Sequence, residues 1–236
     1  MMNHRVTVIF ECIRMDNFKE ISHDEKMALI WRLVEETDKN IHKNEEKPYT
    51  WSINNQGDKY VLLFSCIDDE IMERFTNHVN ELKNAGISVG TNIWKVTEVI
   101  PIEDYPFFNP TMRLMSLNGA YFYQPTEGTH KVTGKPIVYK RRVNVSKEPE
   151  EVAKQISFRL IRRANKYLGT NFTDEDVKIR YVELIPGSGH IEYKGRTLGI
   201  QTITFKIKAP KEIMETALYG GIGALTGSGF GAVVIA

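Results

Sequence analysis

Extended apolar runs and helical stripes alternate along the first hundred residues. Arg5–Arg14, centred on Val6-Thr7-Val8-Ile9-Phe10, reads as a β-strand. Residues 23–40 place Met27, Ile30, Trp31 and Val34 at i, i+3, i+4 and i+7, the stripe of an amphipathic helix. The β-like runs Tyr49–Asn54 and Tyr60–Ile67 flank Asn55-Gln56-Gly57-Asp58, a hairpin turn. Asp68 or Asp69 can cap a helix with inner face Ile71, Phe75, Val79 and Leu82, which Gly86 would end. Ile87–Ile100 supplies a fourth strand. The order strand, helix, strand, strand, helix, strand predicts a ferredoxin-like unit.

Pro101, Pro106 and Pro110 punctuate the next ten residues, and extended backbone is favoured before each proline. A domain boundary is expected there, dividing residues 1–103 from 111–236. The second half repeats the order. Thr111–Tyr123 and Pro136–Val145 are β-like, and residues 149–168 form a helix with Pro149 in its first turn. Its inner stripe is Val152, Ile156, Leu160, Ala164 and Tyr167. Val177–Ile185 and Gly199–Lys208 are strands on either side of a Gly187–Arg196 hairpin; Pro210–Leu218 is a short helix, and Gly229–Ile235 a closing strand. The expected fold class is α+β, two tandem ferredoxin-like (βαββαβ) domains with a C-terminal glycine-rich loop.

Composition narrows the partners. At 236 residues and 42% hydrophobic content, the chain can build one large domain or two smaller ones. The N-terminal residues show no signal peptide, so a cytoplasmic protein is expected. Cys12 and Cys66 both sit in apolar runs and read as reduced core residues. Six scattered histidines, none paired at i,i+4, argue against a bound metal, and no cofactor is expected. Net charge is only +1, yet Tyr139–Lys166 holds nine basic residues against three acidic ones. Such a patch is the electrostatic footprint of a nucleic-acid binder.

Six glycines fall in the twelve residues from Gly220 to Gly231, before the apolar Ala232-Val233-Val234-Ile235-Ala236. A dinucleotide fingerprint is rejected, because the third glycine comes one residue late and no helix follows. A membrane tail is rejected as well, since so many glycines make a poor helix. The remaining reading is a glycine loop entering a terminal strand, whose amides could form a nest for phosphate oxygens.

This loop carries a family resemblance. Gly221-x-Gly223, five residues, then Gly229-Phe230-Gly231 and an apolar strand, with Phe205-Lys206-Ile207-Lys208 upstream, resemble the CRISPR-associated endoribonucleases that process repeat RNA. These belong to the repeat-associated mysterious protein superfamily. Lys47-Pro48-Tyr49-Thr50-Trp51-Ser52 is similar to the family's segment entering the second strand. The resemblance implies metal-independent cleavage, in which a 2′-hydroxyl attacks the adjacent phosphate and leaves 2′,3′-cyclic phosphate and 5′-hydroxyl ends. It also implies catalytic roles for His42, as general base or acid, and for Lys47, as electrostatic stabiliser. His23 is the reserve candidate. Some relatives carry a catalytic tyrosine on this helix; the nearest aromatic here, Trp31, reads as core, and no residue is assigned as the acid.

RNA contacts are expected from three basic elements and from the loop. The first is the outer face of the 149–168 helix, with Arg159, Arg162, Arg163 and Lys166. The second is Lys140-Arg141-Arg142, and the third is the Gly187–Arg196 hairpin with Lys194 and Arg196. Gly221, Gly223, Gly229 and Gly231 are expected to approach the RNA backbone. The expected partner is CRISPR repeat RNA; other subunits of an effector complex and a homodimer are compatible with the sequence, and a membrane is not. Two rival readings are a non-catalytic RNA-binding subunit of an effector complex and a small-molecule-binding ferredoxin-like domain. The basic patch argues against the latter.

Overall fold

The computed structural model describes residues 4–14, 21–35, 46–83, 85–104, 109–130 and 132–236. The first sheet is built from β1 (Arg5–Arg14), β2 (Tyr49–Gln56), β3 (Lys59–Cys66), β4 (Gly86–Val89) and β5 (Asn92–Ile102), in the order β2-β3-β1-β5-β4. Its neighbours are antiparallel, with Arg5 opposite both Ser65 and Ile102. Val6, Val8 and Phe10 alternate into a core shared with α1 (His23–Glu35) and α2 (Asp69–Glu81). The Asp68 carboxylate accepts from the Ile71 amide and caps α2 at its start. That helix ends at Glu81, and Gly86 instead opens β4. The expected fourth strand is therefore two, folded back at Gly90, where φ is +59°. With that hairpin counted as one element, the order is the ferredoxin-like one.

The second sheet holds β6 (Thr111–Ser116), β9 (Lys178–Leu184), β12 (Ile203–Lys208) and β13 (Val233–Ile235), in the order β13-β6-β12-β9. Two helices, α3 (Pro149–Tyr167) and α4 (Lys211–Gly220), close its core through Val152, Ile156, Leu160, Ile213 and Leu218. This is the ferredoxin-like order again, so the chain is a tandem of two such units. Two hairpins stand apart from the sheet. One is β7 (Tyr123–Thr129) with β8 (Pro136–Arg142); the other is β10 (Gly189–Tyr193) with β11 (Arg196–Ile200). The expected long strand Thr111–Tyr123 thus stops at Ser116. Pro136–Arg142 pairs only with β7, because its side chains are nearly all exposed and have no core to join. The closing strand is confined to Val233–Ile235, since the glycines before it are bent into turns.

The two units are joined along a polar seam. Arg5, buried at the start of β1, donates to Ser65 Oγ at 2.9 Å and to the carbonyls of Leu218 at 2.6 Å and Val233 at 3.1 Å. Among the described residues, no helix is long and apolar enough to cross a membrane.

Candidate nucleic-acid interface

The glycine loop lies inside this seam. Gly220–Phe230 is buried apart from partial exposure at Leu225, packed between β2 and the segment that follows β6. Trp51 Nε1 donates to the Gly227 carbonyl at 3.1 Å, and Thr50 Oγ1 to that of Phe230 at 3.3 Å. Asn118 donates to Trp51 O at 2.9 Å and to Gly229 O, and accepts from the Ala232 amide at 3.1 Å. Gly229 has φ +84°, and a Cβ there would sit 2.6 Å from the Trp51 ring. A Cβ on Gly231 would overlap the Ile222 carbonyl, and those on Gly221 and Gly223 would press on backbone oxygens of Gly231 and Tyr121. The positive-φ turns are present, but protein atoms fill the space reserved for RNA in the sequence reading. Gly221 and Gly229 pack against Thr50 and Trp51 of the first unit, whereas Gly223 and Gly231 lie against residues of their own unit.

Lys47 enters this seam immediately before β2. Its aliphatic stem lies against Gly227, and its side chain is half-buried. Burial, reinforced by the nearby Lys166 ammonium, lowers the Lys47 pKa to about 8. His42 lies outside the described residues. The reserve histidine, His23, occupies an aromatic nest: its ring is 5.6 Å from Trp51 and 4.9 Å from Phe230, and Nε2 donates to the Ser228 carbonyl at 2.8 Å. Burial lowers its pKa against the opposing pull of that carbonyl. Those contacts give His23 a packing role against the glycine loop.

The basic helix divides. Arg162 and Lys166 face outward, as expected, and Arg159 is half-turned toward the seam. Arg163 is not on the outer face. Its side chain is 1% exposed; it donates to Gly221 O at 2.6 Å and pairs with the buried Glu46 carboxylate at 3.2 Å. Glu46 also pairs with Arg159 at 3.0 Å, and its carbonyl accepts from the Tyr167 hydroxyl at 2.7 Å. Arg163 thus ties α3 to the loop, and its contacts are internal. Within the Lys140–Arg142 run, Arg141 is held bidentately by Glu148 at 2.7 and 2.8 Å, whereas Lys140 and Arg142 are exposed. Lys140 Nζ lies 4.3 Å over the Tyr123 ring, and Arg142 lies against Gly199.

The β10–β11 turn, Lys194-Gly195, has both residues at positive φ, the geometry that suits a two-residue hairpin. Its tip docks on the first unit: the Lys194 amide donates to Asp24 at 3.2 Å, and Nζ sits 4.9 Å over Trp31. Arg196 is exposed. Glu46 and Tyr123 are prominent here although no local pattern marks either of them. Both act through residues distant in the chain.

Comparison with known proteins adds to this geometry. Residues 121–235 match the model of the family described as CRISPR associated protein Cas6, C-terminal. The matched region is just under half of the chain. It spans α3, the β10–β11 hairpin and the glycine loop, the elements that build the seam from the second unit. Among solved structures, "An RAMP protein binding different RNA substrates" is similar with TM-score 0.74 and 15% identity, covering 98% of this chain and 99% of that one. A Cas6-related protein from Pyrococcus furiosus gives 0.73 and 16%, covering 99% and 98%. A Cas6 product complex gives 0.71 and 12%, covering all of both chains. At such identities these likenesses establish the tandem fold over its full length. A search of curated protein sequences finds no match.

Proposed function

We propose that this chain is a metal-independent endoribonuclease that cuts CRISPR repeat transcripts into guide RNAs. The observation carrying the proposal is Lys47, a partly desolvated cation beside the glycine loop, in a chain whose C-terminal region matches the Cas6 C-terminal family model. The outward cations Arg162, Lys166 and Lys140 supply a surface on which an RNA backbone can lie. In this reading a substrate 2′-oxygen loses its proton and bonds to the adjacent phosphorus. The bond from phosphorus to the 5′-oxygen breaks, and that oxygen takes up a proton. His42 acts as base or acid in these transfers, and Lys47 stabilises the negative charge that builds on the phosphoryl oxygens.

The test is single-turnover cleavage of repeat RNA by wild type and by Lys47→Ala, with RNA affinity measured in parallel. A loss of about 10²-fold or more in rate, with affinity within a few-fold, is expected. Unchanged cleavage would remove Lys47 from the mechanism. Binding without any cleavage by wild type would favour a non-catalytic RNA-binding subunit.

A further inference from the structure

Beside the seam runs a cleft of about 1110 Å³, bounded by the outward face of α3, the base of the β7–β8 hairpin and the edge strand β9. Glu46 closes one end, whereas Lys47, the next residue, turns away toward Gly227. Lys47 is thus not among the described residues that line the cleft.

Its chemistry is specific. Lys140, Lys154, Arg159, Arg162, Lys178 and Arg180 line it. Three carboxylates oppose them, those of Glu46, Glu151 and Asp174, and the first is already engaged by Arg159 and Arg163. The lining is thus strongly cationic, yet it presents aromatic faces. Phe158 is 52% exposed in the middle of α3, with the Arg162 guanidinium 5.4 Å from its ring. Tyr123 stands with Lys140 4.3 Å and Arg159 5.2 Å from its ring. A phenyl ring left about half exposed among cations forgoes much of the apolar burial it could have had in the core. A ligand that is both flat and anionic would use both features.

An unpaired nucleotide has that combination. A base inside a duplex has both faces covered by its neighbours, whereas an unpaired base offers a free face to an aromatic side chain. The volume lies just above the range of clefts that bury small organic ligands, about 300–1,000 Å³, so a nucleotide fits. Resting on the reading of this chain as a repeat-RNA-binding protein, we propose that the cleft captures an unpaired nucleotide of the bound RNA. Its base stacks on Phe158, and its phosphate is held by Arg162 and Lys140.

The test compares Phe158→Ala, Phe158→Leu and Phe158→Trp with wild type. Each is titrated with full repeat RNA and with the same RNA trimmed to its paired stem. Where wild type cuts the RNA, a single 2′-deoxy nucleotide at the mapped site prevents turnover. Because Phe158 is exposed, the variants should keep the wild-type thermal midpoint. Loss of one stacked base predicts affinity for the full RNA about 5–100-fold weaker in the Ala and Leu variants. Trp should bind like wild type, and trimmed RNA should bind all four proteins alike. A 2-aminopurine placed at successive unpaired positions should be quenched at one of them by wild type and not by Phe158→Ala. Full-RNA affinities within two-fold of wild type, or equal losses on both RNAs, would overturn the cleft assignment alone. Failure of wild type to bind either RNA would overturn the parent reading with it.

Discussion

Removing either partner of the buried pair between Arg163 and Glu46 should destabilise the chain, but by unequal amounts. Glu46 is shared: its carboxylate meets Arg163 at 3.2 Å and Arg159 at 3.0 Å. Truncating Glu46 to Ala leaves the Arg163 guanidinium buried, with Gly221 O and Thr226 Oγ1 as its remaining hydrogen-bond acceptors, the latter at 3.5 Å. Burial already pushes the Arg163 pKa down, and the Glu46 carboxylate is the main opposing influence. An uncompensated buried charge of this kind costs about 3–5 kcal/mol. Arg163→Met, by contrast, leaves Glu46 paired with Arg159 and orphans mainly the Gly221 carbonyl, a cost of about 1–3 kcal/mol. Urea unfolding followed by tryptophan fluorescence and by circular dichroism measures both, and coincident curves would justify a two-state treatment. Arg163→Met should also leave the salt dependence of RNA binding unchanged, since a buried guanidinium neutralises no phosphate. The reasoning is refuted if Arg163→Met costs more than Glu46→Ala. It is refuted equally if that variant keeps full stability and flattens the salt dependence.

Replacing Arg162 and Lys166 together by Ala should weaken binding to every RNA and flatten the slope of log K against log[salt] by about 1.4, at about 0.7 per contact for single strands. Gly229→Ala, at φ +84° under the Trp51 ring, should cost about 1–3 kcal/mol or more and shift Trp51 emission; wild-type stability would show that the seam is looser than described. If the Lys47 ammonium is the form that stabilises the reacting phosphate, kcat/KM should fall as pH rises through about 8, where that group loses its proton. Lys47→Arg, which stays charged, should remove that limb from whatever activity it retains, and an unchanged limb would assign it to another group.

Local pattern carried much of the fold. The alternation of β1, the Asp68 cap and the apolar stripe of α3 are properties of neighbouring residues, and both element orders follow from them. The register of the hairpins did not. Pro136–Arg142 has strand-like composition, but only the absence of a core-facing side shows that it leaves the sheet. Arg163 was misplaced for a related reason. It lies four residues from Arg159 and beside Ala164 on the helix border, and what turns it inward is Glu46, far away in the chain. The glycine loop was legible as a set of positive-φ turns, because glycine marks them locally. That Trp51, Thr50 and Asn118 occupy the space around it is a tertiary fact. Spacing and resemblance singled out Lys47, whereas its desolvation depends on packing that no local pattern encodes.

The central claim is a cut made by a substrate hydroxyl. Wild-type protein should be incubated with repeat RNA in excess EDTA and the product ends identified by mass spectrometry and enzymatic end-labelling. The account predicts undiminished cleavage, a 2′,3′-cyclic phosphate on the upstream fragment and a 5′-hydroxyl on the downstream one. A 3′-hydroxyl end, or a strict requirement for Mg²⁺, would contradict it.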